Sequence, residues 1–342
     1  MLRRSRLTIP TALLLALLSV VGAQAQDLKI ATIAPDGTAW MQEMRRGAGE
    51  IAERTAGRVN FKFYPGGAMG NDKSVLRKIR AGQLQGGALT GGGLTEVYPD
   101  NQIYNLPLIF RSYEEMDYVR SKMDGLIGAG LEKHGYLSFG LAEGGFAYLM
   151  SSHPIRSVDN LKNEKVWIPE GDVVSRALLE ALGISPIPLP LIDVLTGLQT
   201  GLISTVGASP TGAIALQWHT KIKYISDTPL MYFYGALIID RKAYDKLSPA
   251  DQTVVQAVMR EVFDKLNRQI RQDNEKARAA LRQQGVEFLP LPPDELEKLR
   301  KAAQQAIVKL GANGVYTQEM FKILQAHLDE YRKKTVKADI RH

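Results

Sequence analysis

The chain has 342 residues, 45% of them hydrophobic, no cysteine, and a formal net charge of +7. That length supplies two medium-sized lobes with real cores, which core burial alone must hold, since no disulfide is available. Three arginines of the positive excess (Arg3, Arg4 and Arg6) fall in the first 25 residues, so beyond them the excess drops from +7 to +4, and no Lys/Arg patch interleaved with aromatics is left to suit a nucleic acid.

Those first 25 residues read as a secretory signal peptide. A basic start precedes the apolar run Thr11–Val21, which is too short for a stable membrane span. Ala23-Gln24-Ala25 is a small-x-small cleavage signal. The expectation is a periplasmic protein cleaved after Ala25, with no later apolar run long enough to insert directly in a membrane.

Leu28 to Ala34 alternates and predicts a strand. Pro35-Asp36-Gly37-Thr38 is a turn with a helix cap, and the helix that follows carries Trp40, Met44 and Ile51 and stops at Gly57. Val59 to Tyr64 predicts a second strand, broken by Pro65-Gly66-Gly67. Asn71-Asp72 then caps a helix bearing Val75, Leu76 and Ile79, ended by Gly82. Leu84 to Thr90 predicts a third strand, followed by Gly91-Gly92-Gly93. Strands alternating with helices imply a parallel sheet covered on both faces. Ligands of such sheets bind beyond the carboxyl ends of the strands, which gathers Pro35–Trp40, Gly66–Asp72 and Gly91–Gly93 on one edge. The glycine triplet lacks the Gly-Lys-Ser/Thr ending of a phosphate loop and is not expected to open a helix. It allows close backbone approach to a ligand or to the other lobe.

Ser112 to Lys133 predicts a helix. Tyr136–Glu143 and Phe146–Ser151 predict two strands, parted by Gly144-Gly145 at a crossing between lobes. From Leu161 to Pro210 the pattern is strand, helix, strand, helix, strand, with strand ends opening toward one place. Tyr224–Ser226 is short and strand-like, and Leu230–Asp240 is a long apolar strand that crosses back. Ser248 as N-cap and Pro249 at the first helical position open a helix reaching about Gln284. At 1.5 Å per residue it is roughly 50 Å long, more than one small lobe. Val286–Leu289 predicts a strand, and two more helices start near Pro293 and Thr317. The expected division is one lobe from 27–145 plus about 233–265, and a second from 146–232 plus about 266–338.

Reacting groups are scarce. No two of the five histidines stand at metal-ligand spacing, and neither His-Glu-x-x-His nor Gly-x-Ser-x-Gly occurs. Ser209 sits in a loop with no base identifiable beside it. No enzyme activity, metal or cofactor is expected. The outline is that of a binding protein that closes by hinge bending around a small molecule.

Four motifs carry a family resemblance. Gly66-Gly67-Ala-Met-Gly70-Asn71-Asp72 resembles Gly-Gln-Leu-Gly-Asn/Asp-Asp/Glu, and Leu106-Pro107-Leu-Ile-Phe110 resembles Leu-Pro-Phe-x-Phe. Leu161-Lys-x-x-Lys165-Val matches Leu-Lys-Gly-x-Lys-Ile-Arg up to its last residue. Pro188-Leu-Pro190 through Leu198-Gln199-Thr200-Gly201 is similar to Pro-Met-Pro-Phe-Ser-Glu-Val-Tyr-Thr-Ala-Leu-Gln-Thr-Gly. Over essentially the whole mature chain it resembles the DctP-type solute receptors of tripartite ATP-independent periplasmic (TRAP) transporters. The resemblance implies an α/β, two-lobed periplasmic binding protein fold, type II-like, with a long helix spanning both lobes. It also implies a solute swallowed in the cleft and delivered to TRAP permease subunits in the membrane. The same lobes would serve a periplasmic ligand sensor for a signalling partner, which stands as the alternative.

The resemblance also implies an arginine that grips the carboxylate of an organic acid, and here the chain departs from it. The arginine position is Trp167, a second family arginine is Ala147, the asparagine before the final proline is Ser209, and an aromatic is Leu191. A buried carboxylate without its two-point arginine loses two parallel charge-assisted hydrogen bonds, so either the solute is not a conventional monocarboxylate or another cation, such as Lys62, Lys165 or Arg176, has taken over. Trp167 offers an apolar face and one N–H donor, or else it is a core residue. Glu170 selects a cationic or hydroxylated group, or else is a solvated turn charge. The helix starts near Asp172 and after Pro210 could aim backbone N–H groups at an anion. The expected solute contacts are Trp40, Asn71, Asp72, Gly92, Ala147, Trp167, Glu170, Leu191, Gly207 and Ser209.

Overall fold

The computed structural model describes residues 25–339; the expected signal peptide, residues 1–25, lies outside the described residues except for Ala25. The chain runs β1 (Gln26–Thr32), α1 (Ala39–Arg54), β2 (Val59–Tyr64), α2 (Asp72–Arg80), β3 (Gly86–Thr90), α3 (Gly91–Leu94), a 3-10 segment (Pro99–Asn105) and α4 (Tyr113–Lys133). It continues through β4 (Tyr136–Ser151), α5 (Val158–Lys162), β5 (Trp167–Pro169), α6 (Val173–Ala181), β6 (Ile187–Leu189), a 3-10 turn (Leu191–Asp193), α7 (Val194–Thr200) and β7 (Thr205–Ala208). The rest is α8 (Pro210–Ala215), β8 (Tyr224–Ser226), β9 (Met231–Asp240), α9 (Arg241–Tyr244), α10 (Pro249–Gln283), β10 (Glu287–Leu289), α11 (Pro293–Ala312) and α12 (Gln318–Asp339).

The strands lie in the order β10-β8-β4-β9-β3-β1-β2, with β7 also paired to β4 and with β5 and β6 in a small parallel sheet beside them. β1, β2 and β3 are parallel, as their helical connections require. β9 is antiparallel to both β3 and β4. One end of β4 therefore belongs to the first lobe, where it pairs with β9, and the other to the second, where it pairs with β7 and β8. Sequence pattern predicted two strands here. The structure has a single 16-residue strand with register shifts between Ser138 and Leu141 and between Glu143 and Gly145. The glycines bend the strand at a bulge and do not end it.

The second bulge shows why glycine stands there. Gly145 has φ +85°, and a Cβ on it would lie 2.5 Å from Asn274 Nδ2 and 3.0 Å from the Tyr113 hydroxyl. At this point β4 leaves one sheet for the other, and side chains replace the missing strand neighbour. Asn267 accepts from the Glu143 N–H and donates to the Leu141 carbonyl. The Tyr113 hydroxyl accepts from the Phe146 N–H, and Asn274 donates to the Gly144 carbonyl.

α10 spans both lobes, as expected from its length. Ser248 caps it, accepting from the Asp251 N–H. Val255, Val258, Met259, Val262 and Phe263 recur at helical spacing and are buried in the first lobe's core with Leu28, Ile30, Met44 and Leu237. Leu281, two turns beyond Asn274, is buried in the second lobe with Trp167, Val206 and Trp218. α11 packs on α6 in the second lobe. α12 departs from its expected place: it packs on α4 and the Pro99–Asn105 segment of the first lobe. Arg332 of α12 donates to buried Glu115 at 2.6 Å, and Thr317 donates through N–H and O–H to buried Asp100. Chain order placed it with its neighbours, but two buried carboxylates of the first lobe need its donors.

Candidate functional site

The carboxyl ends of β1, β2 and β3 share one edge of the first lobe, and β9 and β4 lead from that edge into the second. The carboxyl ends of β5 and β7 stand on the second lobe beside the same crossing. The turns after β2 and β6 meet across the gap: the Ile192 side chain, 73% exposed, comes within 3.8 Å of where a Cβ on Gly67 would be. Ser175 Oγ of α6 also lies 4.0 Å from the Met231 sulfur on the crossing strand. Two lobes therefore face each other over a cleft whose walls are these strand ends.

On the first lobe Asn71, Asp72 and Gly92 come together around the end of β3. Asn71 caps α2, its Oδ1 accepting from the Ser74 N–H at 3.0 Å. Asp72 Oδ2 accepts from the Thr90 hydroxyl at 2.6 Å and the Thr90 N–H at 3.1 Å. Thr90 in turn accepts from the Gly93 N–H, so the glycine triplet opens a short helix, α3, with Thr90 as its cap. That corrects the expectation that these glycines open none; a Ser/Thr directly before them was the available signal. The third glycine is dictated by packing, because a Cβ on Gly93 would collide with the Asp72 carboxylate. Burial raises the Asp72 carboxyl above the ordinary range, against the lowering effect of the two Thr90 bonds. Trp40 lies apart from this group, half-buried on α1 with Phe61 and Phe63.

On the second lobe Trp167 is 5% exposed and packs edge-on to Trp218, with ring centroids 5.2 Å apart. Its indole N–H donates to the Leu189 carbonyl at 3.0 Å. The structure thus takes the core reading of Trp167 and corrects the idea of an N–H offered to a solute. Half-buried Leu191 packs on the same cluster. Gly207 is half-buried on β7 opposite Leu149. Ser209 caps α8, accepting from the Gly212 N–H at 3.2 Å. Glu170 is exposed in the turn after β5. Ala147, buried at the crossing, faces Met231 across the strand pair.

The cations and helix ends proposed to replace an arginine are mostly committed. Lys62 donates to Asp27 at 2.6 Å, at the far end of β1, and Lys165 donates to the Gly201 carbonyl at 2.8 Å. Arg176, half-buried on α6, donates its backbone N–H to the Asp172 carbonyl, and its side chain, without a hydrogen bond or ion pair among the described residues, exerts a lowering effect on the Asp172 carboxyl. At α6, Asp172 takes the Val174 and Ser175 N–H groups; burial raises its carboxyl above the ordinary range, opposed by these bonds. At α8, Asn274 takes the Thr211 N–H and hydroxyl. Sequence reading missed Asn274, which lies in a stretch of α10 dominated by charge, and it missed Thr90 and Met231. Among the described residues no cluster of three or more metal-ligating side chains occurs, and no helix is long and apolar enough to cross a membrane.

Comparison with known proteins places this geometry. Residues 30–313 match the DctP family model, described as bacterial extracellular solute-binding protein, family 7. The chain is 28% identical over 254 residues to the C4-dicarboxylate-binding periplasmic protein DctP of Rhodobacter capsulatus, covering 72% of this chain and 75% of that protein. Among solved structures, a TRAP periplasmic solute-binding protein from Ochrobactrum anthropi, with its C-terminus bound in the ligand pocket, superposes with a TM-score of 0.78 at 25% identity, covering 91% of this chain and 97% of that one. The sugar acid binding protein DctPAm from Advenella mimigardefordensis, in complex with galactonate, shares the fold with a TM-score of 0.82 at 18% identity, covering 90% and 99%. Proteins of this kind are transport receptors, not enzymes. The chain belongs to the DctP family, the bacterial extracellular solute-binding proteins of family 7.

Proposed function

We propose that this protein is the periplasmic receptor of a TRAP transporter, which captures a small organic solute between its lobes and delivers it to the membrane permease. The observation that carries the reading is the meeting of strand carboxyl ends from both lobes at the β4–β9 crossing, the place where such sheets take their ligands. Relatives named for a C4-dicarboxylate and solved with galactonate support an organic acid as the solute class. Asn71, Asp72, Gly92, Ala147, Glu170, Leu191, Gly207 and Ser209 would contact it, with Trp40 at the margin and Trp167 supporting Leu191 from beneath.

The chain does not carry the arginine that the family resemblance implies for gripping a carboxylate, since Trp167 stands in its place and is packed. Lys62 and Lys165 point elsewhere, and the α6 and α8 N–H groups are already taken. Of the replacement cations, Arg176 alone is left to meet the two charges a small dicarboxylate would bury, which is costly. Larger acids with apolar bodies, longer-chain or aromatic, suit Leu191, Ala147 and Met231 better.

Thermal shift against a panel of acids tests this. A ligand at about 100 times its Kd adds about 2.7 kcal/mol of stability, several degrees of Tm. The expected outcome is a clear shift with longer-chain or aromatic acids and none with succinate or malate. A large shift with succinate at low concentration would refute the altered specificity. No shift with any acid, and no small molecule retained in native mass spectrometry, would refute the receptor reading itself.

A further inference from the structure

One face of α10 bridges the seam between the lobes. Asn267, Arg271, Asn274 and Arg278 follow one another at spacings of four, three and four, which sets them in a single stripe. The first two hold the first lobe: Asn267 bonds the Glu143 N–H and the Leu141 carbonyl, and Arg271 bonds Glu143 and Asp117. The last holds the second lobe, where Arg278 donates to Asp227 at 2.5 Å and lies 5.1 Å over the Tyr148 ring. Asn274, 3% exposed, stands between them and touches both sides of the seam. Its Nδ2 donates to the Gly144 carbonyl, in the bulge of β4, at 3.4 Å. Its Oδ1 accepts from the Thr211 hydroxyl at 2.9 Å and the Thr211 N–H at 3.2 Å, at the head of α8.

The two ends of this amide are held differently. The bond to Gly144 lies at the long end of the hydrogen-bond range, on the glycine pair that carries β4 from one sheet to the other. Gly145, at φ +85°, leaves the space that Nδ2 fills. A small rotation about this pair turns the Gly144 carbonyl away from α10 and ends the bond. Thr211 is held more closely. Ser209, two residues before it, lies 3.3 Å from the Thr211 hydroxyl and caps the same helix. The side chain that grips the hinge therefore also fixes a wall of the second lobe. In this structure the lobes meet, with Ile192 beside Gly67, and the bridge is complete. A buried amide favours the arrangement in which its hydrogen bonds are all made.

We propose that Asn274 is a positioning residue for solute capture: it ties the Gly144 hinge carbonyl to the head of α8 while the lobes are together, so that closure and the placement of Ser209 are one event. The inference rests on the receptor reading above. Asn274 touches no solute itself. It acts on the balance between joined and separated lobes, and loss of its bond to Gly144 frees the hinge and favours separation.

Because the chain has no cysteine, two spin labels can be placed on it without background. Lys73→Cys on α2 and Asp159→Cys on α5 put one label on each lobe, at side chains 68% and 81% exposed. Pulsed electron paramagnetic resonance then reads the distance between the lobes with no solute added. The labelled protein with Asn274 intact is expected to show a population at the interlobe distance of this structure. Asn274→Asp keeps an acceptor for Thr211 but sets a second acceptor against the Gly144 carbonyl, so the ratio of near to far populations should fall about fivefold or more, the worth of one buried hydrogen bond. A purely structural role would lower Tm and leave the distances unchanged. That result would overturn the inference, as would the absence of any near population when Asn274 is intact. Neither touches the receptor reading, which stands or falls on solute binding. Should Asn274→Asp not fold, Thr211→Val takes its place, removing the hydroxyl donor from the other end of the bridge. A shift to longer distances in Thr211→Val that is absent in Thr211→Ser supports the inference, and unchanged distances in Thr211→Val overturn it.

Discussion

Trp167 shows what one residue can and cannot say from sequence. It stands where the family resemblance implies a ligand-gripping arginine, and its two readings, solute platform or core, could not be separated by strand parity. The reason is visible in the packing. Val166 and Ile168 are buried in one cluster while Trp167 is buried in another, so both faces of the strand are covered and alternation carries no signal. Its N–H and ring do separate jobs, which substitutions can part. Trp167→Phe keeps a ring against Trp218 but leaves the Leu189 carbonyl without its donor, and should lower stability by about 1 kcal/mol. Trp167→Ala opens a cavity as well and should cost about 3–5 kcal/mol. Urea unfolding followed by circular dichroism measures both. A Trp167→Ala protein as stable as wild type, with weakened solute binding, would restore the platform reading. Asp72 shows the complementary limit: a carboxylate beside a glycine turn was legible as a candidate, but that one oxygen is satisfied and the other is not depends on Thr90, 18 residues away.

Among elements, α10 was the most legible and also hid the most. Its start, length and apolar first half follow from Ser248, Pro249 and the Val255–Phe263 spacing. Its polar second half reads as a solvated face, yet Asn267, Arg271 and Asn274 turn inward, one turn apart, onto the bulged strand. Arg271 bonds Glu143, whose side chain is 1% exposed, stacks 4.4 Å over the Tyr113 ring, and reaches Asp117. Side-chain composition cannot reveal this, because the need for donors arises only where β4 changes sheets. The start of the helix gives a test with a definite sign. Asp251 is 6% exposed and is held by Arg58, which lowers its carboxyl below the usual range against the raising effect of burial. A carboxyl lowered in the folded state contributes stability above its unfolded value, near 3.8, and loses it as pH falls through the folded value. Asp251→Asn should therefore cost about 1 kcal/mol at neutral pH, Arg58 being partly exposed, and make the acid side of the stability profile shallower. Parallel profiles for variant and wild type across pH 2 to 7 would contradict this.

At the scale of the molecule, the question is whether two lobes mean two unfolding units. The α/β alternation, the glycine crossing and the long helix made a two-lobed frame legible from sequence. The return of α12 to the first lobe was not, since its anchors, Asp100 and Glu115, lie more than two hundred residues earlier. That return matters for cooperativity. The chain leaves the first lobe along β4, comes back along β9, crosses again on α10, and closes with α12, so every lobe boundary is spanned by a continuous strand or a buried contact. One apolar cluster contains Leu76 and Met116 of the first lobe together with Phe146 and Tyr232 at the crossing and Val174 and Leu178 of the second. Opening either lobe alone would expose part of that shared surface at about 25 cal/mol per Å² of apolar area. The expected outcome is a single transition, in spite of the size at which chains often unfold domain by domain. The three tryptophans make this measurable: Trp40 reports on the first lobe, Trp167 and Trp218 on the second. In urea, Trp40→Phe and the double variant Trp167→Phe/Trp218→Phe should report the same slope in fluorescence as in circular dichroism, each about its own midpoint. A second-lobe fluorescence transition that finishes before the circular dichroism of the same variant has moved would show that the crossing strands bind the lobes loosely, with β4 serving as a tether and not as a shared core.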